Sequence, residues 1–226
     1  MGKYSVGIST QKKILAVCRE LFYQKGVSKT TYDEICNTAS VNRGLIPYYF
    51  KSKNNIATII YKEFIDQTET FVSELCGNDV NLCFLLLNSL LYDLMIRDKY
   101  FCNFYNEVET LFFGHAFSLE LQYSALLRLV EYNQKSFSEE ELRTMSCMAE
   151  GVERGLVQGI DYGFLLEDAW SIGRRDGLFV LRMIEIPNDI TEKIFKRVEA
   201  IYTEYAITSD TSLGSRLVKR KDLKLS

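Results

Sequence analysis

A chain of 226 residues with 47% hydrophobic and 25% charged residues is long enough to bury a core and has an ordinary globular composition. Two prolines and the lack of strand-like alternation favour helices throughout. The beginning of the sequence has no secretory pattern, and the most apolar run, 82–96, contains Asn88 and Asp93 and is short for a membrane span. The six cysteines are scattered without a CxxC spacing, so we expect them to be reduced. We predict a cytoplasmic all-α protein without membrane association, metal ion or cofactor.

The net charge of −3 is distributed unevenly along the chain. Residues 1–62 contain ten Lys or Arg against three Asp or Glu, whereas residues 63–205 contain 12 against 25. Residues 206–226 are basic again, with five against two. A positive segment joined to a negative one is typical of a protein that binds a phosphate backbone with one of its parts.

The basic segment contains signals for four helices. The first is predicted to begin at Ser9 or Thr10 and to end at Gly26. Thr30 or Thr31 can cap the second helix, and Asn42 can cap a short third helix that ends near residue 50. A fourth helix is predicted from residue 52 to about 76. Two short helices joined by a tight turn, the second carrying no acid, indicate a helix-turn-helix, in which a recognition helix enters the major groove.

The residues of this segment resemble the DNA-binding domain of the TetR family of bacterial repressors over about residues 10–56. The matching residues are Gly26, Thr30-Thr31-Tyr32, Ile35 and Ala39-Ser40-Val41-Asn42-Arg43-Gly44-Leu45-Ile46-Pro47-Tyr48-Tyr49-Phe50-Lys51-Ser52-Lys53. Two positions depart from the family pattern. Ser40 replaces a turn glycine, which is acceptable if the turn avoids a left-handed conformation. Pro47 replaces a phosphate-contacting tyrosine and is expected to kink the third helix.

The resemblance and the residue chemistry assign the same roles. Arg43 is expected to bind a guanine edge, and Gly44 would let the backbone approach the groove closely. Phosphate contacts are expected from hydroxyls and an amine, although Tyr49 suits core packing equally well. The predicted DNA-binding residues are Thr30, Thr31, Tyr32, Asn42, Arg43, Gly44, Pro47, Tyr48, Tyr49 and Lys53. The predicted core of this segment is Ile35, Val41, Leu45, Ile46 and Phe50.

Beyond residue 78, helices are predicted over 80–96, 98–107, 108–134, 138–158, 165–184 and 189–205. Glycines recur every fourth residue at Gly151, Gly155 and Gly159, and again at Gly173 and Gly177. Because each glycine in a helix interior costs about 1 kcal/mol relative to alanine, close helix packing is expected, either within the chain or between two copies. The resemblance implies a homodimer. The candidate interface residues are Ala149, Val152, Gly155, Leu156, Trp170, Gly173, Gly177 and Leu181.

The region 100–137 is rich in aromatic residues and contains the histidine of the chain. Each of these residues suits core packing, but the resemblance implies a ligand pocket here. The candidate ligand-binding residues are Phe101, Phe104, Tyr105, Phe112, His115, Phe117 and Tyr123. The acidic excess would suit a cationic ligand, although solvated surface carboxylates are the commoner explanation.

We therefore predict a helix-turn-helix DNA-binding domain at 1–56, here called the head, and a larger helical ligand-binding and dimerisation domain at 57–205, here called the body. Residues 206–226 are predicted to be a disordered basic tail. The expected function is a transcriptional repressor that binds a palindromic operator and is released by a small molecule. The alternatives are a chromosome-organising DNA-binding protein and a helical adaptor. With one histidine and no catalytic motif, an enzyme is not expected.

Overall fold

The computed structural model describes the backbone of residues 3–223 and the side chains of residues 7–111 and 116–223. The elements in chain order are α1 (Lys3–Lys29), α2 (Tyr32–Ala39), α3 (Leu45–Phe50), α4 (Lys53–Cys76), α5 (Val80–Arg97), α6 (Lys99–Thr110), α7 (Phe112–Tyr132), α8 (Glu139–Asp161), α9 (Ala169–Met183), α10 (Asn188–Glu204), β1 (Tyr205–Thr208) and β2 (Arg216–Lys219). A short 3-10 turn, Arg220–Asp222, follows β2. The predicted helical class is confirmed, and the predicted head and body helices are found with small shifts of their ends.

Local sequence signals fix the first two helices of the head. Gly26 interrupts α1 with a φ of 86°, and a Cβ atom there would lie 2.7 Å from the carboxylate of Glu107. Thr31 and Glu34 form a capping box at the start of α2. Ser40 ends α2 in the left-handed conformation, with φ 50° and ψ 51°. The turn therefore does not avoid that conformation, and the serine is held there at a cost of about 1–2 kcal/mol.

The recognition helix α3 is short and starts later than predicted. Asn42 begins the turn that leads into it: its Oδ1 accepts a hydrogen bond from the Gly44 N–H at 3.0 Å, and its carbonyl accepts one from the Leu45 N–H. Pro47 is the third residue of α3, where a backbone N–H would have no partner inside the helix. The proline therefore deletes no helical hydrogen bond, and the cause of the expected kink is removed.

Most of the predicted head core is confirmed. Ile35, Ile46 and Phe50 are buried, while Val41 and Leu45 are partly buried against the same cluster. They pack with apolar side chains of α1 and α4, including Ile14, Cys18, Phe22, Ile56 and Ile60. This core holds α2 and α3 at the outer end of the molecule.

Helix α5 lies at the centre of the body and packs against α4, α9, α10 and β1. The whole helix is longer than the apolar run 82–96 and could cross a membrane by length and composition alone. However, 61% of the helix is buried inside the protein, as in the core helix of a packed bundle. The helix therefore forms the centre of the body core and packs against a different neighbour on each side.

The glycines of α9 pack against this central helix, which corrects part of the predicted dimer interface. A Cβ atom at Gly173 would lie 2.9 Å from the Cα of Ser89, and one at Gly177 would lie 2.2 Å from Leu85. Leu181 and Ala149 are buried within the same chain. These four residues therefore serve packing within the chain. The prediction failed because a regular spacing of small residues suits packing on a helix of the same chain as well as on a helix of a partner.

The tail predicted to be disordered is folded through residue 223. Strands β1 and β2 pair antiparallel, with Ala206 opposite Val218, and Ala206, Ile207 and Leu213 are fully buried. The physical reason is Asp93, which is 6% exposed on α5 and needs cations. Arg220 and Arg97 supply them, at 3.0 and 2.7 Å. The charge of Arg220 is therefore used inside the protein, whereas Arg216 and Lys219 are exposed.

Candidate nucleic-acid interface and cavity

The head presents most of its predicted DNA-binding residues at the surface. Asn42, Arg43, Gly44 and Pro47 are exposed, and Tyr48 has 78% of its surface in solvent. Thr31 is also exposed, although its hydroxyl is occupied by Glu34 in the capping box. Tyr32, Tyr49 and Lys53 are partly exposed. A polar and aromatic surface on a short helix that projects from the body is suited to a groove of duplex DNA.

Arg43 is held in a defined position without being buried. Its guanidinium donates a hydrogen bond to Asp33 at 3.0 Å and lies 5.6 Å from the centre of the Tyr32 ring. Both members of the ion pair are mostly exposed, with 66% and 73% of their side chains in solvent. Such a pair is worth at most about 1 kcal/mol, so the arginine can exchange Asp33 for another acceptor at little cost.

Two of the predicted phosphate contacts are instead structural. Thr30 is 1% exposed, and its hydroxyl donates to the carbonyl of Gly26 at 2.7 Å. The Lys53 amine donates to the carbonyl of Thr30 at 2.6 Å, while the Lys53 N–H donates to the Tyr32 hydroxyl at 3.1 Å. The prediction for Thr30 is wrong because Thr31 takes the cap, which leaves its neighbour facing the end of α1.

The body contains a cavity of about 350 Å³ between α4, α5, α7 and the inner ends of α6 and α8. Its wall is largely apolar, with residues such as Ile65, Val72, Leu87, Leu91 and Ala125. Polar side chains also line it, including Asn88, Gln122, Tyr105 and Glu153. A mostly apolar cavity with a few polar groups is typical of a small-molecule site.

Of the predicted ligand residues whose side chains the structure describes, Tyr105 lines the cavity and the others do not. Phe101 and Phe104 are fully buried against Phe64 and Phe22, and are core residues. Phe117 packs edge-on to Tyr61, and Tyr123 lies beneath Arg143. The side chains of Phe112 and His115 lie outside the described residues. The missed signals were polar residues in apolar helical stretches, of which Asn88 is the clearest.

A group of carboxyl side chains lies around Glu153, which lines the cavity. Glu153 accepts hydrogen bonds from the Tyr105 hydroxyl at 2.5 Å and from the Gln122 amide. Burial, opposed by these hydrogen bonds, raises the pKa of Glu153 to about 7. Burial also raises the pKa of Asp176 and of Glu109 to about 8 each, with repulsion from Glu153 adding to both. These groups therefore titrate near neutral pH.

Helix α6 connects the cavity to the head. Tyr105 lines the cavity, and two residues later the Glu107 carboxylate accepts hydrogen bonds from the N–H groups of Val27 and Ser28. At the start of the same helix, Asp98 accepts a hydrogen bond from Tyr23 of α1 at 3.0 Å. A displacement of α6 would therefore act directly on the end of α1 that precedes the recognition motif.

Sequence relatives match the head. A family described as "Bacterial regulatory proteins, tetR family" matches residues 14–58. The probable HTH-type transcriptional regulator YttP of Bacillus subtilis (strain 168) is 41% identical over 59 residues, which are 26% of this chain and 28% of that protein. The HTH-type transcriptional regulator AcrR of Shigella flexneri is 38% identical over 66 residues, 29% of each chain. Both matches thus span less than a third of the relative's own length.

Solved structures match most of the chain at low identity. RolR, solved with its ligand resorcinol, has a TM-score of 0.63 and 14% identity over 86% of this chain and 97% of its own. TylP of Streptomyces fradiae, a TetR regulator, has a TM-score of 0.55 and 15% identity over 86% of this chain and 96% of its own. These similarities extend the fold, though not the activity, beyond the head. Residues 14–58 are thus similar to the tetR family of bacterial regulatory proteins, whereas the rest of the chain shares a fold with the solved structures.

Proposed function

We propose that this protein is a transcriptional regulator that binds operator DNA with its head and responds to a small molecule in its body. The observation that carries this proposal is the exposed recognition helix α3 within the segment matched by the family, with Arg43 and Tyr48 free to reach a groove. The two regulators that share this segment support the same role. Repression, with release by the ligand, is the output we favour.

DNA recognition would combine two kinds of contact. Arg43 would leave Asp33 and bind a guanine edge through its planar fork, with Gly44 allowing a close approach. Tyr48, Tyr49 and Thr31 would contact phosphates and fix the position of the head without reading sequence. Lys53 would contribute charge to this surface while it holds the carbonyl of Thr30. Thr30 itself is left out of this interface.

Dimerisation would place two heads on a palindromic site. Met148 is 50% exposed on α8, and Gly151 and Gly155 beside it are exposed with nothing within 4 Å of their Cβ positions. Met148 also borders a groove with Leu178 and Phe179 of α9. Such an exposed apolar surface suits a second copy. Phe179→Glu should then give monomers in sedimentation, whereas Lys193→Glu on α10 should not.

Ligand control would act through α6. RolR, which has a similar fold, is solved with resorcinol, and this supports a small molecule as the occupant of the body cavity. A ligand that binds one position of α6 better than another would shift the spacing of the two heads. We accordingly propose that residues 1–56 form the DNA-binding head and that residues 57–205 form the ligand-binding body.

The test is an electrophoretic mobility shift with a palindrome from the DNA next to this protein's own gene, over a series of salt concentrations. Arg43→Ala should weaken binding by about 5- to 150-fold, as expected for the loss of one bidentate base contact. The matched control is Lys196→Ala on α10, which is exposed and lies outside the head and the α8–α9 groove. If no sequence-specific complex forms, the DNA-binding proposal is wrong. Many scattered sites of equal affinity would instead favour a chromosome-organising role.

A further inference from the structure

We propose that the body cavity binds an organic monocation, an amphiphilic amine with an apolar body, whose charged nitrogen pairs with Glu153, near Asp176. This inference deepens the proposed function and rests on it for the biological role of the ligand. It is carried by the cavity, by the Glu153 carboxyl in its wall, and by the buried Asp176 carboxyl behind Asn88.

The cavity has two chemically different parts. Towards α4 and the first turns of α5 its wall is mostly aliphatic, with Val72, Val80 and Leu87. The charges there, Arg128 and Glu69, form an ion pair with each other. At the other end Glu153 lines it directly, and the Asn88 amide, which also lines it, donates to Asp176 at 3.4 Å. A ligand that fits this space therefore needs an apolar body and one polar end.

The polar end contains carboxyl groups that have no cationic partner among the described residues. Glu153 receives hydrogen bonds from two neutral donors, Tyr105 and Gln122. Neither Glu153 nor Asp176 forms an ion pair with any residue whose side chain the structure describes. Arg154 pairs instead with Glu150 at 3.1 Å and with Glu109 at 3.8 Å. Burial favours the protonated form of an unpaired carboxyl, and a cation bound in the cavity would stabilise the ionised form of Glu153.

The hydroxyl of Tyr92 belongs to the same cluster. Tyr92 is 2% exposed on α5, one turn after Asn88, and its hydroxyl faces Asp176. Asp176 and Glu153 are the groups whose charges act most strongly on it. Because Tyr92 is the partner of Asp176, Glu153 is the carboxyl that a ligand in the cavity reaches.

The protonation of the cluster gives the proposal a second signature. The groups that face Glu153 come from five helices: Tyr61 on α4, Tyr92 on α5, Tyr105 and Glu109 on α6, Glu150 and Arg154 on α8, and Asp176 on α9. Since burial holds the pKa of Glu153 at about 7, much of it is neutral at pH 6. Binding a cation must then release a proton, and the affinity should rise about tenfold from pH 6 to pH 8.

The experiment is isothermal titration calorimetry of the full chain with 4-phenylbutylammonium and with 4-phenylbutan-1-ol, which have the same number of heavy atoms. At pH 8 the ammonium ion should bind about tenfold more tightly than the alcohol, because a charged hydrogen bond replaces a neutral one. At pH 6 its binding heat should differ between buffers of different ionisation enthalpy, which reports the released proton. Glu153→Gln should remove most of the preference for the ammonium ion, and Glu140→Gln, exposed on the same helix, should keep it.

Asp176→Asn provides a second variant should Glu153→Gln fail to fold, and both are checked by their melting temperatures. Equal affinity for the ammonium ion and the alcohol overturns the proposal. So does an unchanged preference in both variants, or the lack of saturable ammonium binding at millimolar concentration. Operator binding is measured separately, so loss of the ligand inference leaves the DNA-binding proposal intact. A bound ammonium ion that leaves operator affinity unchanged would support the site and refute ligand control.

Discussion

The head and the body hold their charged groups in different ways. In the head, Arg43 and Asp33 form a mostly exposed ion pair, so either group can turn to a partner in water. In the body, Asp93 has 8% of its side chain exposed and is held by Arg97 and Arg220. An Asp–Arg ion pair is therefore easily replaced by other contacts when it is exposed, as in the head, and is required for stability when it is buried, as in the body.

The largest expected effect tests the buried carboxyls of the body. In the ligand-free protein Asp176, Glu109 and Glu153 have pKa values raised to about 8, 8 and 7, so the folded state binds more protons than the unfolded state above pH 5. The free energy of unfolding should therefore fall as pH rises from 5 to 8, by an amount on the order of 3 kcal/mol, and stay low above pH 8. Urea unfolding at a series of pH values measures it.

Asp176→Asn should make this dependence shallower, because one of the three carboxyls can no longer ionise, whereas Asp189→Asn on the surface of α10 should leave it unchanged. Glu34, whose pKa is lowered to about 2 chiefly by its hydrogen bond with Lys25, stabilises in the opposite sense and loses its effect only in acid. A stability that is level or rises between pH 5 and 8 would contradict the burial of ionisable carboxyls in the body.

A smaller effect is expected from the C-terminal segment. Arg220→Gln should lower the free energy of unfolding by about 2 kcal/mol, since Asp93 stays buried with only Arg97 and Tyr202 as partners. Arg216→Gln in the same hairpin is the matched control, because its ion pair with Asp210 is exposed, and it should cost less than about 0.5 kcal/mol. Equal values for the two variants would mean that the hairpin is not held by Asp93.

The sequence was sufficient to predict the secondary structure where the signals are local. The stop at Gly26, the caps at Thr31 and Ser138 and the turn at Asn42 each involve residues within four positions, and each lies where it was predicted or within a few residues of it. The head and the succession of body helices follow from such patterns. The exposed recognition surface follows too, because an apolar periodicity identifies the buried face and leaves the other to solvent.

Long-range pairings could not be predicted in this way. Asp93 and Arg220 are 127 positions apart, so the basic tail resembled a solvated end. Gly173 and Gly177 gave a spacing that suits packing on α5 as well as packing on a second copy. The aromatic residues of 100–137 were apolar enough for a pocket, but a cavity lies where facing helices leave space. Periodicity alone does not give that position.

The smallest effect on stability and the clearest effect on binding are expected at Asp33. Asp33→Asn removes the exposed ion pair with Arg43, so the free energy of unfolding should change by less than about 0.5 kcal/mol. Operator affinity should nevertheless increase several-fold, because the substitution releases Arg43 and deletes a negative charge beside the phosphates. The mobility shift assay at moderate salt measures this, with Asp189→Asn, whose ion pair with Lys193 is equally exposed, as the control.

Weaker DNA binding by Asp33→Asn would indicate that the carboxylate positions Arg43 for the groove. The exposed pair would then be part of the recognition surface, and the contrast between head and body would lie in what each pair supports, function in one and stability in the other.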